Sequence, residues 1–184
     1  KQGAEMDEVG SLKDAYLTIE GERISGFGNM SECPVPGPQD EVIDAEGGMV
    51  MPAFCDSHTH ICYAGTREQE FIDKINGLSY EEIAARGGGI LNSADLLHRT
   101  SEEELYSQTM ARVREMIAKG TGAIEIKSGY GLTLEDELKM LRVIRRVKKD
   151  SPATIKATFL GAHAVGRAFK GRQNEYVNLV CEEM

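Results

Sequence analysis

The chain has 184 residues, 41% of them hydrophobic and 28% charged, the balance of a globular protein. Its net charge of −9 argues against nucleic-acid binding and against docking on anionic membranes, since both need basic patches. No apolar stretch is long enough to span a bilayer, and no signal-peptide pattern opens the chain.

In chain order, Ala15–Glu20 alternates, Gly21-Glu22 offers a turn and Arg23–Gly28 returns, which predicts a hairpin. Pro34, Pro36 and Pro38 break the chain into a loop, and Glu41–Ala45 predicts another short strand. Residues 1–50 therefore read as a small β-domain segment. The apolar run Val50–Phe54 that follows predicts a buried strand, and it ends in Cys55-Asp56-Ser57-His58-Thr59-His60. Ser79-Tyr80-Glu81-Glu82 is a capping box for a short helix to Arg86, stopped by Gly87-Gly88-Gly89. Ser101–Glu104 is a second capping box. Its helix carries Leu105, Val113, Met116 and Ile117 on one stripe and ends at Lys119-Gly120. Residues 122–127 predict a buried strand, Thr133 caps a third helix with Leu138, Leu141, Ile144 and Val147 at helical spacing, and Ser151-Pro152 stops it. A strand over 154–160 and a helix over 174–184 complete the alternation, which is that of parallel βα units. The fold class is α/β. Residues 51–184 fit the first part of a (β/α)8 TIM-type barrel. They supply three core strands where a closed barrel takes about 250 residues, so the chain reads as part of a longer protein.

The chemistry gathers at strand ends. His58 and His60 lie two residues apart on an extended strand, so both imidazoles face the same way and can reach one metal ion. The second strand ends in Lys127-Ser128-Gly129-Tyr130-Gly131 and the third in Gly161-Ala162-His163, where parallel barrels carry their sites. Arg67, in the loop after the histidines, suits a substrate carboxylate; its alternative is a surface pair with Glu68 or Glu70. Tyr130 offers a phenol or packs half-buried. His163 is a ligand, an electrophile or a core histidine. Lys127 and Glu125 are expected to pair only poorly, and His98 to be exposed. The glycine run lacks the Lys-Ser/Thr of a phosphate loop, and Glu102–Glu104 is a helix N-terminus rather than a metal cluster. Cys33, Cys55, Cys62 and Cys181 have no Cys-x-x-Cys spacing, which fits reduced thiols in a cytoplasm. Cys55 and Cys62 flank the histidines and could be soft ligands, with core packing the better reading of Cys55.

The segment leading through Pro52–His60 resembles the opening of the amidohydrolase superfamily. The blocks Ala64–Phe71, Tyr80–Ala84 with Gly87–Ile90, Glu125–Leu132 and Thr158–His163 are similar to one branch of it, which opens the ring of an imidazolone propionate in histidine degradation. Pro52-Ala53 stands where proline-glycine is more usual. The resemblance implies one divalent metal ion, zinc or iron, with His58 and His60 as two of its ligands. It implies substrate contacts from Arg67, Tyr130 and His163, with Tyr80 nearby and His163 serving catalysis as well. It further implies a small-molecule substrate and a homodimer. The family's remaining ligands, a histidine and an aspartate, and its acid/base glutamate come from later strands. Two alternatives are a heterocycle deaminase of the same superfamily and a non-catalytic segment that folds only by association.

Overall fold

The computed structural model describes residues 3–86 and 88–184; Gly87, part of the predicted helix stop, lies outside them. The chain divides into two compact units, Lys1–Val50 and Met51–Met184.

In the first unit, β1 (Ala15–Glu20) and β2 (Arg23–Asn29) pair antiparallel, as the alternation predicts. Gly21 turns the chain at φ +62°, a conformation that favours glycine. The strand expected at 41–45 does not form. Asp44 instead accepts a hydrogen bond from the Glu46 N–H, and Gly48 closes a turn onto the Ala45 carbonyl. Val42 and Ile43 are left exposed, so no apolar contact offsets the entropy of fixing an extended segment.

The second unit contains β3 (Phe54–Thr59), α1 (Glu68–Ile75), α2 (Tyr80–Ala85), α3 (Ile90–Arg99), α4 (Glu102–Ala118), β4 (Thr121–Lys127), α5 (Leu134–Asp150), β5 (Thr154–Thr158) and α6 (Gln173–Asn178). The three strands form a parallel sheet in the order β3-β4-β5, joined through helices, so this is a mixed α/β unit. Ser79 and Glu82 close the predicted capping box reciprocally, at 2.7 and 3.2 Å. Ser101 caps α4 and Thr133 caps α5 through the N–H groups of Glu104 and Asp136. Leu105, Met110 and Val113 of α4 and Met140, Val143, Ile144 and Val147 of α5 meet Ile124, Ile126 and Ile155 in the core. Burying each such aliphatic contributes about 1.5–3 kcal/mol.

Several expectations are corrected. The run before the histidines is not buried: Val50, Met51, Phe54 and Cys55 are exposed, because among the described residues β3 is a sheet edge paired with β4 alone. Core packing for Cys55 is overturned with it. The buried face of α5 holds Ile144 and Val147 as expected but runs through Glu137, Met140 and Val143 in place of Leu138 and Leu141, and Leu138 faces out. α1 and α3 were unforeseen, and neither has a side-chain cap. The last segment is α6 followed by a π-helical stretch, Leu179–Glu183.

All four cysteines are free. Burial pushes the Cys62 thiol up to about 12, against a hydrogen bond with Thr109 that favours the thiolate. A thiol-disulfide reagent at pH 8 is therefore expected to modify exposed Cys55 and Cys181 in the folded chain and Cys62 only after denaturation. Fast labelling of Cys62 in folded protein, read by peptide mass mapping, would contradict its place in the core.

Candidate active site

Side chains converge where the three parallel strands end. β3 ends at Thr59, between the two histidines, and its register is fixed across the sheet. The Thr59 hydroxyl donates to the Glu125 carbonyl at 2.6 Å, and the Thr59 N–H donates to the Glu125 carboxylate at 3.2 Å. That carboxylate pairs with Lys127 at 2.5 Å, both side chains being 12% exposed. The expectation of a poor Glu125–Lys127 pair is thus wrong. Residues i and i+2 share one face of a strand, and the long lysine stem spans the gap. Burial alone would raise the Glu125 carboxyl; the hydrogen bonds from Lys127, Thr158 and Thr59 outweigh it and lower it.

Three rings gather around His60. The His58 ring lies 5.4 Å away edge-on, and the His163 ring stacks at 5.0 Å. Tyr130 lies 5.6 Å from His60 and 5.5 Å from His163. His60 Nδ1 is buried and has no hydrogen-bond partner among the described residues, a state that costs about 1–3 kcal/mol. Burial, then the neighbouring His163, His58 and Lys127, lowers the His60 pKa, so its imidazole is held neutral. A neutral imidazole is the form that ligates metal. Among the described residues no group of three or more histidine, cysteine or acidic side chains assembles for a metal. The donors present suit a borderline ion of the zinc or iron type, and the orphaned nitrogen is consistent with one.

His163 Nδ1 lies 3.1 Å from the Gly129 carbonyl. A carbonyl only accepts, so Nδ1 carries the proton and a neutral ring keeps its lone pair on Nε2. Burial raises the Tyr130 pKa, opposed by the charge of Arg67, so the phenol stays a donor. Arg67 pairs with Glu70 at 3.4 Å, the surface pairing named as its alternative, and remains partly exposed. Glu70 in turn accepts from the Gly89 N–H at 2.9 Å. Tyr80 stands apart from the rings, exposed at the start of α2. His98 is exposed as expected, yet its Nδ1 hydrogen-bonds Asp136 at 2.8 Å.

Two contributors escaped the sequence reading. Arg112 stacks over Tyr63 at 3.5 Å and donates to the carbonyls of Ile61 and Tyr63, holding the segment after the histidines. Glu137, buried at the start of α5, binds the backbone of the Tyr130 loop. Its only trace in the sequence is an acid shortly after a glycine-tyrosine-glycine turn.

Residues 41–90 match the amidohydrolase family, the class that the parallel strands and the paired histidines suggest. The resemblance to that superfamily is supported further along the chain. The chain is 56% identical to imidazolonepropionase of Flavobacterium psychrophilum over 99% of its own length. It is 45% identical to imidazolonepropionase of Ectopseudomonas mendocina over 97% of its length, and 41% identical to that of Symbiobacterium thermophilum over 100%. In each case it spans 44% of the relative's length.

Proposed function

We propose that this chain supplies the N-terminal portion of an imidazolonepropionase, the hydrolase that opens the ring of 4-imidazolone-5-propanoate to N-formimidoyl-L-glutamate. The observation that carries the reading is the convergence of His58, His60, Tyr130 and His163 at the ends of three adjacent parallel strands. In this reading the sheet is the first part of a (β/α)8 barrel that follows a small β-domain.

His58 and His60 would hold one divalent ion, zinc or iron, with further ligands from the rest of the enzyme, because catalytic sites of this kind use about three protein ligands. When bound, such an ion activates water and polarises a carbonyl. The reaction adds water across the ring amide. A new C–O bond forms at the carbonyl carbon, the C–N bond breaks, and the nitrogen leaves with a proton. His163 Nε2 can accept a hydrogen bond or a proton at the ring. The Tyr130 hydroxyl donates to the substrate, and Arg67 anchors the propionate once it exchanges Glu70 for the ligand carboxylate. Tyr80, at the start of α2, would contribute a further contact to substrate.

Arg67→Met in the whole enzyme is expected to raise KM roughly ten- to a hundredfold, since a charge-assisted pair is worth about 1.5–3 kcal/mol. Metal content should not change. An analogue lacking the propionate should be affected far less. Equal losses on both substrates would make Arg67 structural. The activity itself is tested by turnover of imidazolone propionate, followed by the loss of its ultraviolet absorbance; no ring opening by metal-replete whole enzyme would refute the assignment.

A further inference from the structure

We infer that Glu137 is a positioning residue for His163, acting through the backbone of residues 129–132. The inference rests on the reading above only in giving His163 a role at substrate. Glu137 is 1% exposed. Its carboxyl oxygens accept from the Gly129 N–H at 3.1 and 3.0 Å, the Gly131 N–H at 2.7 Å and the Leu132 N–H at 3.2 Å. Successive backbone N–H groups turned toward one acidic group form an anion-binding concavity, here filled from within the chain.

The loop is shaped for this contact. A Cβ on Gly131 would meet the Glu137 backbone nitrogen at 2.4 Å, so the loop rests directly on the first turn of α5. Leu132 is held at φ +54°, an uncommon conformation for a leucine, and its N–H is one of the groups that Glu137 binds. Gly129 sits at φ +108°, where a Cβ would strike the Leu160 carbonyl at 2.9 Å and His163 at 3.0 Å.

Gly129 therefore faces two partners. Its N–H is held by Glu137, and its carbonyl receives the Nδ1–H of His163. The loop is also tied to the segment that follows β5, since the Ser128 hydroxyl accepts from the Leu160 N–H at 3.0 Å. From the other side, the Tyr176 hydroxyl donates to the Gly161 carbonyl at 2.6 Å. Of these contacts, only the Gly129 carbonyl selects which imidazole nitrogen of His163 bears the proton. Glu137 fixes that carbonyl without touching the ring, and so keeps the Nε2 lone pair available.

The test is side-chain nitrogen NMR on the full chain labelled with 15N-histidine and with no metal added. The His163 signals are identified by their loss in His163→Asn. In the wild type, His163 should be a single Nδ1–H tautomer. In Glu137→Gln, which keeps the shape but sets an amide N–H₂ against the loop donors, it should become a mixture of two tautomers, with the His98 signals unmoved. Glu137→Asp, which retracts the carboxyl by one methylene, should give a smaller shift in the same direction. An Nε2–H tautomer in the wild type, or an undisturbed Nδ1–H in Glu137→Gln, would overturn the inference. So would unfolding of both variants in far-UV circular dichroism, which would make Glu137 an anchor of the whole fold rather than of this ring. Turnover is not read, so failure of the hydrolase assignment and failure of this inference give different results.

Discussion

His60→Ala is expected to lower ring hydrolysis by the whole enzyme by more than about a hundredfold, exceeding the tenfold to hundredfold cost of losing an outer partner of a metal ligand. The physical reason lies in the environment of the imidazole. It is held neutral by burial and by the surrounding histidines and Lys127, and its Nδ1 finds no partner among the described residues. A polar nitrogen in that condition is satisfied by a ligand of the site, and alanine removes it. His98→Ala is the control, because that ring is exposed and hydrogen-bonded to Asp136 rather than gathered with the other rings. Comparable activity in His60→Ala and wild type, measured with saturating metal, would remove His60 from the chemistry.

Lys139→Met is expected to destabilise the chain by about 3–5 kcal/mol, the cost of leaving one member of a buried ion pair alone. Lys139 lies 2.8 Å from Asp136 and donates to the carbonyls of Leu97 and Thr100, at 2.7 and 3.1 Å, so it also closes the C-terminal end of α3. Burial alone would raise the Asp136 carboxyl; hydrogen bonds from Lys139, His98 and Thr133, with the Lys139 charge, hold it below the usual carboxylate range. A carboxyl whose pKa is depressed by folding contributes stability above its unfolded value of about 3.9, and that contribution is lost as pH falls through the folded value. The gap between wild type and Lys139→Met should accordingly be widest near neutrality and narrow in acid. Urea titrations at pH 7 and at about pH 2, below the unfolded carboxyl value, check both the size and the trend; equal midpoints at pH 7 would show that the pair contributes nothing.

What the sequence made legible follows from local chemistry. Ser79, Ser101 and Thr133 each carry the hydroxyl that caps the helix they begin, and the hairpin at residues 15–29 declares itself by alternation around a glycine turn. The alternation of helices with apolar strands gives the parallel sheet, and the strand-end positions of His58, His60, Tyr130 and His163 bring their rings together. The misses have long-range causes. α1 and α3 start on Arg67 and Gly89 without a side-chain cap, so no local signal marks them. β3 has the composition of a buried strand but lies at the edge of its sheet, where Phe54 and Cys55 are exposed. The strand expected at 41–45 meets no pairing strand among the described residues. Glu137 was invisible because its partners are backbone N–H groups, which carry no residue-type signature.

The central claim, that His58 and His60 together hold a divalent metal, is tested most directly by elemental analysis of the purified whole enzyme and its variants. The account predicts about one zinc or iron per chain in the wild type and in His98→Ala. His58→Ala and His60→Ala should retain little or none. Full metal content in both of those variants would contradict the claim.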